Sequence, residues 1–482
     1  MEQKAGAQIS QRAFIQSLVI LFILMMVAGL LTLAIPAGQY TRIEVNGRQT
    51  IDPDSFRVVD RPDYPVWRWF LAPLEVLGSE SGLTIIVIIV VLFFAGGAFA
   101  VMDKTGTLRA FIGRIVHRFR GQKYALLWIV SLAFMFLGAT LGTFEEVVLL
   151  VPVMIALSYS LGWDALVGLG MSILATNMGF SAAISNPYTL GVAQQLAGLP
   201  LFSGAWFRII IFVVIYLIFG WFLAAYARQI DRDPRSSLVH GEDDAEREKY
   251  KRMDADLMTE DHKQNRAMNF FGIFLLLIFL IMLAGPFVPA ISDYALPIVG
   301  VLFLIGGLGA GFLSGAGSRI VWRGLFEGLG GLAPSVPLIL MAASIRYIID
   351  SGGVTDTILH AAAEPFTQLG AFPAALVVYV LALGIEFFIA SGSAKAFLMM
   401  PIVLPLADLI GVTRQTAVLA YIFGDGFSNL GYPTNPVLLI SLGLTVVSYP
   451  KWIRWTARLW LWVILATIVF LGIAVAINFG PF

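Results

Sequence analysis

The sequence contains no cysteine and few charged residues. The absence of cysteine excludes disulfides, thiol catalysis and thiolate metal sites, although it does not identify the redox compartment. Charged residues make up only 13% of the 482 residues, against roughly 25% in an ordinary soluble domain. The four histidines show no metal-binding spacing, and no basic run marks a nucleic-acid surface. This composition argues against a soluble enzyme, a zinc protein and a nucleic-acid-binding protein.

Long apolar runs make up most of the remaining sequence, and the mean hydropathy is +0.84. Each run can cross a bilayer of about 30 Å. The run 14–35 is too long for the core of a signal peptide, so we expect it to be retained. Charge is concentrated in 227–268, where nine Lys/Arg and eleven Asp/Glu predict a charged cytoplasmic linker. The sequence therefore predicts an all-α integral membrane protein with about nine spans.

The chain repeats itself at an offset of 249 residues. Ser185-Asn186-Pro187 corresponds at this offset to Thr434-Asn435-Pro436, and the apolar run 84–101 corresponds to 333–350. One offset that aligns several independent features indicates a duplication. We therefore predict a first repeat over 1–226 and a second over 269–482.

One element breaks the correspondence and predicts the relative orientation of the repeats. Residues 292–313 are apolar, whereas their counterpart 43–64 is polar. The extra crossing would invert the second repeat, an arrangement common in secondary transporters. Lys and Arg are frequent in 104–123 and absent from 353–372, which predicts that the first of these segments is cytoplasmic and the second external. The N-terminus is then cytoplasmic and the C-terminus external.

Two segments of each repeat do not read as plain spans. Residues 123–160 and 372–410 are apolar stretches with polar interruptions, which predict re-entrant hairpins with polar tips. Residues 165–198 and 414–447 each contain an Asn-Pro pair. Because proline removes an amide donor and disfavours helical angles in the preceding residue, we expect two broken helices. A proline kink in a plain span is the alternative.

Unwound backbone and polar tips predict a substrate site near the middle of the membrane. The positive ends of four half-helices would converge there and suit a carboxylate. Charged side chains are costly in the bilayer, so their presence indicates function. A structural ion pair between Glu146 and Lys395 is one alternative, which would leave Glu145, Glu386 and Asp425 without obvious partners. The predicted substrate-binding residues are Thr143, Glu145, Glu146, Ser185, Asn186, Pro187, Ser391, Gly392, Ser393, Lys395, Asp425, Thr434, Asn435 and Pro436.

Five segments together resemble a known family: Gly142-Thr143-Phe144-Glu145-Glu146, Ala175-Thr176-Asn177-Met178-Gly179, Ser185-Asn186-Pro187, Ser391-Gly392-Ser393-Ala394-Lys395 and Gly431-Tyr432-Pro433-Thr434-Asn435-Pro436. The chain is similar along nearly its whole length to the YfcC family, which belongs with the DcuC-like anaerobic C4-dicarboxylate carriers of the ion transporter superfamily. The resemblance implies a homodimer with a scaffold part and a transport part that moves as an elevator. Sodium-coupled relatives carry Ser-Asn-Thr at the tips, and this chain does not, so the coupling ion is left open between a proton and sodium.

Together these features predict a secondary active transporter in a bacterial inner membrane. The acid excess favours a basic amino acid or a similar zwitterion, carried by exchange or import. A C4-dicarboxylate, bound through Lys395 and the helix ends, is the alternative, and a channel is a weaker one. No P-loop, nucleophile–base motif or metal motif is present, so we expect no enzyme activity, catalytic residue, metal site or cofactor. The expected partners are a small molecule and the lipid bilayer, without nucleic acid.

Overall fold

The fold is known from a computed structural model, which describes residues 11–45, 48–52, 55–79, 82–118, 121–244, 247, 262–284, 294–363 and 369–480. Part of the predicted linker, 245–246 and 248–261, and the N-terminal residues 1–10 lie outside the described residues. The first half contains α1 (Gln11–Ala34), β1 (Gly38–Gln39), β2 (Arg42–Val45), β3 (Arg48–Ile51), β4 (Arg57–Val58), α2 (Trp67–Glu75), α3 (Gly82–Lys104), α4 (Thr107–Arg118), α5 (Lys123–Leu141), α6 (Val151–Ser160), α7 (Ala165–Leu169), α8 (Ala175–Ala182), α9 (Val192–Leu196) and α10 (Ala205–Arg232). The second half contains α11 (His262–Ala284), α12 (Ala295–Leu313), α13 (Ser318–Leu332), α14 (Ser335–Ser351), α15 (Thr355–Ala363), α16 (Ala371–Glu386), α17 (Gly392–Ile410), α18 (Arg414–Ser428), α19 (Pro436–Gly443) and α20 (Tyr449–Ala476).

Short stretches of tighter or wider helix join some of these elements. The 3-10 turns cover Val76–Gly78, Glu146–Leu150 and Pro234–Ser236. π-Helical turns cover Gly170–Leu174 and Pro187–Gly191. The first of these π-turns continues α7 into α8, and the second leads into α9, so both widened turns belong to the first broken helix.

Nine helical stretches of the described chain are long and apolar enough to cross a membrane. The prediction of an all-α, multi-pass membrane protein is confirmed. Two of the nine, Lys123–Leu141 and Gly392–Ile410, are arms of the predicted hairpins, whereas Leu18–Ala34 in α1 falls below the length of the others. The remaining stretches are Gly82–Lys104, Ala165–Leu196, Ala205–Arg232, His262–Ile281, Leu296–Leu313, Ser318–Ser351 and Tyr449–Ala476.

The polar segment that interrupts the repeat forms two small antiparallel sheets, in which β1 pairs with β4 and β2 pairs with β3. This segment is fixed to the second half through Asp356, whose carboxylate accepts hydrogen bonds from Tyr40 N at 2.9 Å and from Arg42 at 2.9 Å. Its counterpart 249 residues later is the apolar helix α12. The difference on which the inverted arrangement depends is therefore present, while the orientation of the two halves in a membrane stays a prediction.

The first arm of each predicted hairpin packs closely against the following broken helix, α5 against α8 and α16 against α18. Glycine permits this contact. A Cβ added at Gly179 would lie 1.8 Å from the carbonyl oxygen of Met135, and one at Gly424 would lie 2.4 Å from that of Tyr379. Larger side chains would separate the backbones. The same packing in both halves holds each tip beside its own helix break.

The described start of the linker docks against the beginning of the first broken helix. Asp164 accepts hydrogen bonds from Tyr226 Oη at 2.7 Å and Ser237 Oγ at 2.6 Å. Asp243 accepts one from the backbone amide of Ala165 at 3.1 Å. Both carboxylates are fully buried. Two acids therefore share one helix N-terminus, where their negative charge is favoured by the helix dipole and opposed by their mutual repulsion.

We expect this docking to depend on pH. Burial and the neighbouring Asp164 carboxylate raise the pKa of Asp243 to about 7, from about 3.9 in an unfolded chain. The docked linker therefore favours the protonated acid, so docking is strongest below about pH 4 and weakens as the pH rises to about 7. Asp243→Asn mimics the neutral acid and should slow amide hydrogen exchange of residues 233–244 at pH 8 while removing most of its pH dependence.

Glu242→Gln is the matched control, because Glu242 is the adjacent, exposed acid and pairs with Lys451 at 2.8 Å. It should keep the wild-type pH profile, after correction for intrinsic amide exchange. An Asp243→Asn protein whose linker exchange still changes with pH as in the wild type would contradict the assignment to Asp243.

Candidate functional site

The first tip follows α5 and is shaped by a glycine. Gly142 has a left-handed backbone with φ of 68°. A Cβ there would lie 2.3 Å from Asn186 Oδ1, so no other residue fits. Next to it, Thr143 is buried and its hydroxyl has no hydrogen-bond partner. Glu146 accepts a hydrogen bond from Phe144 N at 3.3 Å, and Glu145 is exposed.

The first break begins where α8 ends, with Ala183 in the left-handed region at φ 42°. Ser185 then fastens the break to the end of α5, because its amide donates to Ala139 O at 3.0 Å and its hydroxyl to Thr140 O at 3.2 Å. The helix resumes at Pro187, a position where a missing amide proton costs nothing. The predicted broken helix is therefore present, and a simple proline kink is not.

The two Asn side chains act first as helix caps. Asn186 Oδ1 accepts from the amide of Tyr188 at 2.9 Å, and Asn435 Oδ1 accepts from that of Val437 at 3.0 Å. Asn435 Nδ2 donates to Asn429 Oδ1 at 3.2 Å, whereas Asn186 Nδ2 is buried with no partner. The side-chain amide without a partner is therefore that of Asn186, and not that of Asn435.

The second break lies between α18, which ends at Ser428, and α19, which starts at Pro436. Tyr432 holds it to the second hairpin by donating to Leu383 O at 3.0 Å. Thr434 is buried, and its hydroxyl has no hydrogen-bond partner. The two halves thus break the helix at corresponding Asn-Pro pairs, although the second break is longer.

The second tip joins α16 to α17 around Gly392. A Cβ at Gly392 would lie 2.3 Å from Thr189 Cγ2 and 3.0 Å from Asp425 Oδ2, so this tip touches both broken helices. Ser391 caps α17 by accepting from Ala394 N at 3.4 Å. Ser391 is exposed and Ser393 is half-buried. Both serines are therefore near the surface of the tip.

The tips and breaks of the two halves make reciprocal contacts. The 3-10 turn Glu146–Leu150, which starts the second arm of the first hairpin, contacts α19. In the same way α17, the second arm of the second hairpin, contacts the turn Pro187–Gly191. Each hairpin therefore meets the helix that restarts after the break of the other half. This arrangement brings the predicted tip and break residues together.

Three buried charges form the strongest electrostatic feature of the region. Lys395 lies 2.8 Å from Asp425 Oδ1 and also pairs directly with Glu386 Oε2. The side-chain exposures are 0% for Lys395 and Glu386 and 2% for Asp425. Tyr421 donates a hydrogen bond to the Gly392 carbonyl beside them. We call Glu386, Lys395 and Asp425 the charged triad; with all three ionised, it carries one net negative charge.

The charged triad replaces the pair that position alone suggested. Glu146 occupies the position of Lys395 in the first repeat, but Lys395 takes its partners from α16 and α18 within its own half. The idea that Glu146 and Lys395 fasten the two tips is wrong. Asp425, which we expected to lack an obvious partner, is paired with Lys395.

Glu145 is not one of the carboxylates that pair with Lys395. It lines an apolar pocket between α3, α12 and α19, together with Ile88, Val91, Leu92, Val148, Leu149, Leu296, Pro436, Val437 and Ile440. Pro436 and Val437 begin α19, so Glu145 lies beside the region where the second broken helix restarts. Of the predicted acids, Glu145 and Glu146 therefore stand without a basic partner among the described ion pairs.

Thr189 and Asn177 are not among the site residues predicted from the sequence. Thr189 is 1% exposed, its hydroxyl has no partner, and its methyl group is adjacent to Gly392. Asn177 is fully buried with neither side-chain atom bonded. A buried polar atom without a partner costs about 1–3 kcal/mol, so such atoms mark places where a ligand could bind. The signal available in the sequence was that each is a polar residue in a helical segment that flanks the first break.

Comparison with known proteins identifies the family. The model of the DcuC family, described as C4-dicarboxylate anaerobic carrier, matches residues 14–476. The chain is 30% identical, over 95% of both chains, to the putative basic amino acid antiporter YfcC of Escherichia coli K12. It is 24% identical to an uncharacterised protein of Haemophilus influenzae, over 92% of this chain and 93% of that one.

Solved structures of transporters are also similar. The YdaH transporter of Alcanivorax borkumensis matches 97% of this chain and 100% of its own, with 17% identity and a TM-score of 0.42. MtrF of Neisseria gonorrhoeae, described as an antimetabolite efflux pump, matches 96% of this chain and 95% of its own, with 17% identity and a TM-score of 0.43. From the family match and the relatives, the chain belongs to the DcuC family of C4-dicarboxylate anaerobic carriers and is a membrane transporter rather than an enzyme.

Proposed function

We propose that the chain is a secondary carrier that exchanges or imports a basic amino acid or a similar zwitterion. The observation that carries the proposal is the charge around the tips and breaks. Four acids, Glu145, Glu146, Glu386 and Asp425, stand there with one base, Lys395. Charged side chains are costly inside the membrane, so those that are present there indicate a function. An excess of acidic over basic side chains suits a cationic group on the substrate.

The carboxylate end of the substrate has a separate set of groups in this proposal. Asn186 Nδ2 and the Thr143 and Thr434 hydroxyls are buried without partners. They lie beside the restarted helices, whose N-terminal amides favour anions. The cationic end would then face Glu145 or Glu146. The relative described as a basic amino acid antiporter supports the same substrate class.

A C4-dicarboxylate is the second candidate, and the description of the family favours it. A dicarboxylate substrate would need a positive group in the site for each of its two carboxylates. Lys395 is the one basic residue among the described residues of the tips and breaks, and it is already paired with two carboxylates. The charge arrangement therefore supports the basic substrate better than the dicarboxylate.

The mode of movement and the assembly are part of the proposal. The hairpins and broken helices share one large hydrophobic cluster with α3, α10, α12 and α20, and a smaller cluster joins α1, α2 and α14 to Leu439 of α19. The proposal of a moving transport part therefore rests on the resemblance to the family and not on a division of the core. We propose an elevator-type homodimer in a bacterial inner membrane, made of two inverted repeats, 1–226 and 269–482, joined by the cytoplasmic linker 227–268.

Counterflow into proteoliposomes tests the substrate class. Vesicles are loaded with arginine, lysine, ornithine, succinate or fumarate, and uptake of the matching radiolabelled compound is followed. Accumulation driven by arginine, lysine or ornithine alone is the expected result. Saturable counterflow of succinate or fumarate, with none of the basic amino acids, would establish the dicarboxylate reading instead.

The inverted arrangement predicts opposite exposure of two loops. Because the parent has no cysteine, single cysteines can be labelled without background. Arg235→Cys, in the linker, should react with an impermeant maleimide only after the membrane is opened, whereas Ala361→Cys should react in intact cells. Both positions are exposed in the isolated chain. Reaction of both from the same side would refute the arrangement.

A further inference from the structure

We propose that the charged triad of Glu386, Lys395 and Asp425 is the coupling site, where one exchangeable proton replaces the positive charge of the substrate during the return step. This inference rests on the proposed function and adds to it the coupling ion and its location. The argument uses the net charge, the burial and the surroundings of these three side chains.

The net charge is the first step. Two carboxylates surround one ammonium group, and all three side chains are at most 2% exposed. A buried ion pair can persist, but an unbalanced buried charge is strongly disfavoured. The triad is therefore stable in a membrane only when one further positive charge neutralises it. A proton on one carboxylate does so, and so does a cationic substrate group held nearby.

Among the described residues that surround Glu386, Lys395 is the one base. The groups that face Glu386 are Lys395 from α17, Asp425 and Tyr421 from α18, and Tyr432 and Asn435 from the second break. Neither tyrosine nor asparagine provides a positive charge. One oxygen of Glu386 is buried and has no hydrogen-bond partner. A proton bound to the triad therefore has an acceptor atom available.

The position of the triad connects it to the substrate region. Gly392 separates Asp425 from Thr189, because a Cβ at Gly392 would lie 3.0 Å from Asp425 Oδ2 and 2.3 Å from Thr189 Cγ2. The Thr189 hydroxyl is buried and has no partner, so it is an unused polar group on the far side of this tip. A ligand that binds at Thr189 would lie next to the triad and displace its proton by charge repulsion.

The first repeat has no charged triad at the corresponding positions. At the repeat offset, Glu386, Lys395 and Asp425 correspond to Leu137, Glu146 and Thr176. The repeat offset therefore gives one triad among the described residues, and the proposal assigns it one proton per transport cycle. The proton enters from water on one side, neutralises a carboxylate while the empty carrier returns, and leaves to water on the other side when a substrate cation binds.

The test counts protons against arginine in proteoliposomes of the full chain with a pH dye inside. Wild type should exchange about one proton per arginine and raise the internal pH when arginine is added outside. Glu386→Gln and Asp425→Asn each leave a neutral pair with Lys395. Both should keep arginine counterflow, with KM raised roughly tenfold for one lost charged interaction, and lose the proton movement.

The double variant Glu386→Gln with Lys395→Met restores one unbalanced acid, Asp425, and should restore proton movement. Asp408→Asn, on α17 and paired with the exposed Arg414 at 2.7 Å, is the control and should behave as wild type. Thermal stability in detergent shows that each variant is folded, and the two single variants serve as independent tests if one of them unfolds.

The outcomes separate the two proposals. Failure of wild-type arginine counterflow would overturn the proposed function. Wild-type counterflow without proton movement would overturn the coupling site alone. So would proton movement that persists in both single variants, or a folded double variant that does not regain it. Loss of counterflow in both folded single variants would also overturn it, since the triad would then be needed for arginine binding itself.

Discussion

Lys395→Met should be among the most destabilising single substitutions in this chain. Lys395 is fully buried between Glu386 and Asp425, and its removal leaves two carboxylates side by side without a counter-charge. Breaking a buried pair in this way costs about 3–5 kcal/mol, a large share of the 5–15 kcal/mol that holds a typical domain folded. Thermal unfolding of the detergent-solubilised protein should show a clearly lowered midpoint.

A neutral triad should recover much of this loss. In the triple variant Lys395→Met, Glu386→Gln and Asp425→Asn, no charge remains to be desolvated, and replacing a complete buried ion group is often close to neutral. Lys451→Met is the matched control, since its pair with Glu242 is 31% and 38% exposed and exposed pairs contribute about 0–1 kcal/mol. Equal losses in Lys395→Met and Lys451→Met would contradict the view that the triad is an interdependent buried group.

The breaks of the two long helices could be predicted from sequence because their cause is local. Proline at positions 187 and 436 has no amide proton and fixes its own backbone angle wherever the chain folds. The preceding Asn186 and Asn435 are favoured helix caps. Both helices restart at the proline that follows the capping Asn. The capping role could also have been predicted, and it uses the side-chain oxygen of each Asn, whereas a substrate carboxylate would need the side-chain amide nitrogen.

The partners of Lys395 could not be predicted from sequence because they depend on packing. Symmetry between the repeats suggested Glu146, which occupies the corresponding position. Glu386 instead reaches Lys395 across the turn between α16 and α17, and Asp425 is brought in because α18 packs against α16. Such contacts depend on the length of the side chains and on the rotation of the helices about their axes. A repeat offset relates positions in the sequence and gives no information on either. The same holds for Thr189, whose place beside Gly392 follows from contact between the two halves.

Substrate selection gives the second large effect, and it depends on Glu145. Glu145 lines an apolar pocket together with Pro436 and Val437, where the second broken helix restarts. Low polarity strengthens a charge interaction made there. Glu145→Gln keeps the size of the side chain and removes its charge. If this carboxylate binds the cationic end of the substrate, affinity should fall by about 1.5–3 kcal/mol, which is roughly tenfold or more.

Competition by arginine and by its neutral isostere citrulline distinguishes a charge effect from a general loss of binding. In Glu145→Gln, inhibition of lysine counterflow by arginine should weaken more than tenfold relative to Asp408→Asn, whose altered acid is exposed and pairs with Arg414. Inhibition by citrulline should change much less, because it never interacted with the charge. A dicarboxylate carrier predicts the reverse, since removing a repulsive acid should hold or raise the affinity for succinate. Equal weakening for arginine and citrulline would show that Glu145 shapes the pocket without recognising the substrate charge.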